Sequence, residues 1–210
     1  MYTKSIKRLG SLLPLAILLA CGGSHDKTTD PETTDNASIS TAGAVSAMQQ
    51  LADQAEEIEK KGPVATIDFR RLKELLPAEA DGLPRKEASG EKNGAAGFSF
   101  STAVGKYGNA DDSETIEITL VDGGGSSMMM GLAAWSMLEI DKETADGYEK
   151  TGIMGNYKSY EKYNSQDKNG EIALLVAKRY VVTAKGRGID MDKLKEALND
   201  VDLDKLAGLE

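Results

Sequence analysis

Ile116, Ile118 and Leu120 stand at every second position, and so do Phe98, Phe100, Thr102 and Val104 before them. A period of two is the repeat of a β-strand, whose side chains alternate between faces, so both runs read as strands with one buried face. The turn-forming stretch from Gly108 to Asp112 joins them into an antiparallel hairpin. Residues 172–177 and 180–184 are the most apolar pair and predict an inner hairpin turning near Lys178 and Arg179. Residues 148–154 and 156–163 read as shorter, more polar strands.

Helical signals lie between and around these strands. Asp68 is placed to cap a helix in which Phe69, Leu72, Leu75 and Leu76 share a face, and Pro77 cannot continue it. After Gly123-Gly124-Gly125, Ser126 or Ser127 can cap a second helix reaching Leu138. Asp190 caps a last one, with Leu194, Ala197, Leu198 and Val201 on one side, and Leu203, Leu206 and Leu209 continue beyond it. The order is helix, two strands, helix, about four strands, helix. Short turns between strands imply antiparallel pairing. The expected fold is α+β: an antiparallel sheet of about five to six strands with helices packed mainly on one face, occupying residues 63–210. With 210 residues, 40% of them hydrophobic, the chain is long enough for one packed core.

The N-terminus follows a different logic. Residues 1–20 contain Lys4, Lys7 and Arg8 and no acid, then an uncharged apolar run over 12–20 that ends at Cys21. That is the layout of a secretory signal, and nine apolar residues fall well short of the roughly 20 needed for a membrane-spanning helix. Leu18-Leu19-Ala20-Cys21 resembles the lipobox of bacterial lipoproteins. The resemblance implies cleavage between Ala20 and Cys21, a diacylglycerol on the Cys21 thiol, and frequent acylation of the new amine. Two or three acyl chains make such an anchor durable. In those lipoproteins an aspartate directly after the cysteine holds the protein at the inner membrane. Gly22 stands there instead, which points to the outer membrane of a two-membrane bacterium. The expected location is therefore the cell envelope.

Residues 22–43 hold almost no apolar side chain beyond alanine and one isoleucine, too little to offset the entropy of ordering, so they read as a disordered tether. As a flexible coil it spans on the order of 25 Å. Residues 44–62 then shift to helical spacing, with Val45, Met48, Leu51, Ala52, Ala55 and Ile58 on a narrow stripe stopped by Gly62 and Pro63. The body also resembles a set of bacterial envelope proteins of uncharacterised activity. They share a D-F-x-x-L-K-x-L-L-P opening, here 68–77, a long inner strand pair at 172–186, and a closing Leu- and Asp-rich helix at 190–209. These shared motifs are structural and imply no activity.

Charge and rare residues exclude several chemistries. Twenty-five basic against 34 acidic side chains give a net charge of -9, the wrong sign for a nucleic-acid partner. One cysteine excludes internal disulfides and cysteine-rich zinc sites, and the one histidine, His25, falls in the tether. No catalytic residue, metal site or cofactor is expected. Asp122-Gly123-Gly124-Gly125-Ser126-Ser127 lacks the lysine and spacing of a phosphate loop and reads as a turn. Ser165 to Gly170 begins like a calcium loop, but Val176 takes the place of the closing glutamate, so it reads as a hairpin turn. Lys178, Arg179, Lys185 and Arg187 form a basic cluster that fits either an anionic headgroup surface or a charged sheet edge. Ser-x-x-K recurs, as at Ser159-Lys162, without the apolar helix that pairs such residues one turn apart.

The run from Met128 to Leu138 is apolar on nearly every side, so it is either core or the wall of an apolar ligand site. In the second case Met129, Met130 and Trp135 are the contact residues. The expected function is a non-enzymatic binding or structural module, whose partners are the membrane through its acyl chains and other envelope proteins. The alternatives are a carrier of a hydrophobic ligand and a carboxylate- or lysine-dependent envelope enzyme.

Overall fold

In the computed structural model, residues 64–95, 98–124 and 131–209 are described, together with Gln49, Asp53 and Glu56, which are helical. The expected signal segment, the expected Ala20–Cys21 cleavage site, the expected tether and most of the expected 44–62 helix lie outside the described residues. The dominant element is one antiparallel sheet of nine strands in the order β1-β2-β3-β4-β9-β8-β7-β6-β5. The strands are β1 Glu79–Ala80, β2 Leu83–Ala95, β3 Phe98–Gly108, β4 Thr115–Asp122, β5 Asp141–Thr144, β6 Gly147–Met154, β7 Tyr157–Asn164, β8 Asn169–Val176 and β9 Tyr180–Arg187. Two meanders, β1 to β4 and β5 to β9, therefore join where β4 pairs with β9.

This overturns the expected five to six strands with packed helices. The helices whose full extent is described are short: α1 Phe69–Lys73, a 3-10 turn Ala134–Met137, α2 Met191–Asn199 and α3 Leu203–Ala207. The added strands are β1, β2 and β5. Each lies at or near a sheet edge and lacks an alternating apolar face, because edge positions carry charge rather than core side chains. β5 is Asp-Lys-Glu-Thr, exposed at all four residues. β2 reads Leu-Pro-Arg-Lys-Glu-Ala-Ser-Gly-Glu-Lys-Asn-Gly-Ala, and a bulge between Arg85 and Glu87 breaks its register with β3.

Turn chemistry sets the meanders. Asp81-Gly82 links Ala80 to Leu83 with both φ values positive, the two-residue turn that Asp-Gly favours. Gly155, φ 58°, opens the two-residue link between Met154 and Tyr157. The Ser165 to Lys168 stretch is the β7–β8 turn, closed by the Asn164 carboxamide oxygen, which accepts from the amides of Gln166 (2.9 Å) and Asp167 (3.0 Å).

One sheet face, the inner one, carries the core. Ile118, Leu120, Ile172, Leu174, Val182 and Ala184 are buried there beneath Leu72 of α1, Leu194, Ala197 and Leu198 of α2, and Leu206 of α3. Helix α2 comes close because Gly170 and Gly186 lie side by side under it. Two buried tyrosines tie flanking segments to this layer. Tyr107 donates to the Pro77 carbonyl at 3.0 Å and Tyr180 to the Leu209 carbonyl at 2.7 Å.

The chain joins the sheet through a buried ion pair. Asp122, fully buried at the end of β4, accepts from the amides of Ile67 (2.7 Å) and Gly124 (2.8 Å), and from Arg179 Nε and Nη2, both at 2.9 Å. Arg179 also donates to the Ala65 carbonyl at 3.1 Å. Segment 65–67 is thus held against the sheet on both sides of its backbone.

Candidate functional site on the outer sheet face

The second face of the sheet is graded along the strands. At the β4 C-terminal end Val121, Val181 and Leu175 form a small apolar patch with Ala133, contributed by the segment that crosses from β4 to β5. Trp135 of that segment is half-buried, with its ring centroid 6.1 Å from that of Tyr160 on β7. The Leu138 carbonyl accepts from the Thr151 hydroxyl at 3.0 Å. The crossing segment therefore lies on the outer face and shields its apolar end.

Two residues further along each strand, on the same face, the chemistry changes. Thr119, Thr183, Ala173, Tyr160 and Thr151 make a row of small or neutral side chains. The next row is charged in strict alternation across eight strands. Glu87 of β2 stands opposite Lys106 of β3, Lys106 opposite Glu117 of β4, and Glu117 opposite Lys185 of β9. Lys185 then faces Glu171 of β8, Glu171 faces Lys162 of β7, Lys162 faces Glu149 of β6, and Glu149 faces Lys142 of β5. Four carboxylates and four ammonium groups balance to zero.

Opposite charges on directly facing strand positions each contribute about 0.2–1 kcal/mol. Two neighbouring pairs in the row are within salt-bridge distance, Lys106–Glu87 at 3.0 Å and Lys185–Glu171 at 3.6 Å. The bond to Glu87, with that carboxylate's charge, raises the Lys106 pKa above the usual lysine value. Tyr160 donates to Glu149 at 2.8 Å, and burial first, then this bond, raises the phenol's pKa above the ordinary range.

At the β5–β8 end the row forms the floor of an open depression of about 420 Å³. Lys142, Glu149, Lys162 and Glu171 line it, with Asn164 and Asn169 one row further and Thr144, Asp146 and Gly147 from the β5–β6 turn. That turn is lashed to the β7–β8 turn: Ser165 donates to the Asp146 carbonyl through its amide (2.7 Å) and hydroxyl (2.9 Å), and Gln166 bonds the Asp146 carboxylate. Gly147 is obligatory there, since a Cβ on it would fall 1.9 Å from the Tyr163 carbonyl oxygen. Lys142 and Lys162 make no ion pair among the described residues.

A second charged group sits on the inner face. Glu161, 8% exposed, accepts from the Tyr148 hydroxyl at 3.2 Å and lies 3.2 Å from Lys195 and 3.7 Å from Lys150. Burial, reinforced by the Glu161 charge, raises the Tyr148 pKa to about 12. The phenol therefore keeps its proton and donates. The group lies against α2 and belongs to the packing of that helix.

The residues singled out in the sequence distribute as follows. Cys21, Ala20, Met129 and Met130 lie outside the described residues. Trp135 is described, and it packs on Tyr160 rather than in the depression. The basic cluster is dispersed: Arg179 is consumed by Asp122, Lys185 belongs to the charged row, and Arg187 donates to the Asp112 carbonyl at 3.4 Å. Outside those candidates, Tyr157 and Tyr163 of β7 pack with the inner core, while Tyr160 is on the other face. Ser159 is buried and Lys162 exposed, on opposite faces of β7, so this Ser-x-x-K pair cannot cooperate.

Lys142, Glu149, Lys162, Glu171, Asn164 and Asn169 were not candidates from sequence. Hairpin arithmetic could have found them: once the turns are placed, Lys142 and Glu149, Glu149 and Lys162, and Lys162 and Glu171 are equidistant from their respective turns. Among the described residues no group of three His, Cys, Asp or Glu is placed to hold a metal, and no helix is long and apolar enough to cross a membrane. No protein-family model, curated protein or solved structure matches the chain.

Proposed function

We propose that this chain is a bacterial lipoprotein, exported, cut before Cys21, and held in the cell envelope by acyl chains on that residue. It presents the sheet domain as a non-enzymatic binding or structural module. The observation that carries this reading is Leu18-Leu19-Ala20-Cys21 at the end of a nine-residue apolar run behind three basic residues. Removal of the leader leaves 22 basic against 34 acidic side chains, a net of -12, so the mature chain is more acidic than its precursor. Binding fits better than catalysis because the one thiol is consumed by the anchor and the one imidazole lies in the tether, outside the sheet domain. Gly22 after the cysteine favours the outer membrane.

The test is metabolic labelling with a radioactive or clickable fatty acid in cells making the wild-type chain or Cys21→Ala. Label in the wild type alone is the expected result. Equal label in both, or label in neither, overturns the anchor. Photocrosslinking from the outer sheet face in living cells then reports which envelope components the domain meets.

A further inference from the structure

The floor of the depression over β5 to β8 balances two lysines against two glutamates, and the third carboxylate of the lining, Asp146 on the rim, is bonded to Gln166. Its donors are the Lys142 and Lys162 ammonium groups and the Asn164 amide NH2, whose carboxamide oxygen is already committed to the turn. Its acceptors are the Glu149, Glu171 and Asp146 carboxylates. Along the floor, lysine and glutamate alternate at the strand spacing of about 4.8 Å.

Such a floor selects against ions of either sign. An anion that reaches Lys162 meets Glu149 and Glu171 on both sides, and a cation at Glu149 meets Lys142 and Lys162. Tyr148 and Tyr163 also line the depression, but their rings pack with the inner core, which leaves the charged side chains as the floor's distinguishing chemistry. A polyhydroxyl ligand satisfies every position, because each hydroxyl both accepts from an ammonium group and donates to a carboxylate. The floor is also preorganised: Tyr160 holds Glu149, Lys185 holds Glu171, and the lashed turns fix Asp146, which lowers the ordering cost of binding.

From this pattern we infer that the depression is a binding site for an uncharged carbohydrate. The inference deepens the binding-module reading above and rests on it, but it is independent of the lipid anchor. The test uses the full chain carrying Cys21→Ala, which receives no acyl chain, so a failed lipid assignment leaves the result intact. Four probes are titrated with NMR detection: cellotetraose, a β-linked N-acetylglucosamine tetramer, a hexuronic acid tetramer and tetralysine.

At least one neutral tetrasaccharide should shift the amides of Lys142, Glu149, Lys162 and Asn169, and the two charged oligomers should not. Glu149→Gln and Lys162→Met, each removing one charged hydrogen-bonding partner, should weaken binding about tenfold or more. Glu117→Gln, in the same row but outside the depression, should bind as the parent does. Silence with both neutral probes overturns the inference. So do shifts confined to other surfaces, tighter binding of the hexuronate, or full affinity in Glu149→Gln and Lys162→Met.

Discussion

Leu194 of α2 occupies the space where a side chain on Gly186 would be: a Cβ built on that glycine falls 2.7 Å from Leu194 Cδ2. Gly170, its neighbour across the β8–β9 pair, makes the same contact from the other side, with its Cβ position 2.8 Å from Cδ1. Leu194 is fully buried and has nowhere to retreat. Gly186→Ala should therefore cost about 1–3 kcal/mol through overpacking. Leu194→Ala should cost about 2–5 kcal/mol through the cavity it leaves. Urea unfolding of the double variant decides whether this contact is the cause: it should be no less stable than Leu194→Ala alone, because the added methyl then enters the vacated space.

The buried Asp122–Arg179 pair yields a second test. Removing one member strands the other charge away from water, and such losses run to about 3–5 kcal/mol. Asp122→Ala also leaves the Ile67 and Gly124 amides without their acceptor. We expect it to destabilise the domain by about that amount and to loosen residues 65–67 first, read as faster amide exchange at Ile67. Glu87→Ala, which breaks the exposed pair with Lys106, should cost under about 1 kcal/mol.

The β8–β9 turn is held against its residues' preferences. Ala177 and Lys178 both have positive φ, 50° and 54°, and the turn closes with the Arg179 amide donating to the Val176 carbonyl at 3.0 Å. Left-handed backbone costs residues with a Cβ roughly 1–2 kcal/mol, and Asn-Gly is the pair suited to it. Ala177→Asn with Lys178→Gly should raise the urea midpoint by the equivalent of about 1 kcal/mol. An unchanged or lower midpoint would show that the flanking strands, not the turn residues, set the conformation.

These sites show what the sequence made legible. The β8–β9 hairpin was readable because Ile172, Leu174, Val182 and Ala184 are core residues on an alternating pattern. The edge strands were not, because β5 and most of β2 bury little and so have no apolar period. Asp81-Gly82 was a usable turn signal for β1 and β2, masked by Arg85 to Lys92, whose charges resemble a loop. The charged row is a property of register, and register lies between strands rather than in any one of them. No inspection of Lys106 or Glu171 alone reveals that they belong to one line.

That line predicts a salt-dependent response. Glu117 faces Lys106 on one side and Lys185 on the other, so Glu117→Lys places three ammonium groups in succession. Two lost attractions and two new repulsions should total about 1–2 kcal/mol at low ionic strength. Part of that loss should disappear in 1 M salt, where the screening length falls to about 3 Å. Equal destabilisation at both salt concentrations would assign the effect to packing.

Alkaline pH supplies the last test. Tyr148 and Tyr160 have raised pKa values, Tyr148 to about 12, with burial the main cause and the Glu161 and Glu149 carboxylates adding to it. Burial likewise raises Tyr107, Tyr163 and Tyr180. A group with a raised folded pKa keeps its proton where the unfolded chain has lost it. The folded state then binds more protons, and stability falls as pH rises. The loss should begin near the unfolded tyrosine value of 10 and continue through about 12; at neutral pH both states keep the proton, so the phenols' contribution is fully present and does not vary with pH. Thermal unfolding followed from pH 8 to 12 should show the melting temperature dropping above pH 10. Tyr148→Phe, which has no proton to lose, should have a shallower slope than the wild type. An identical slope in the two proteins would remove Tyr148 from the account.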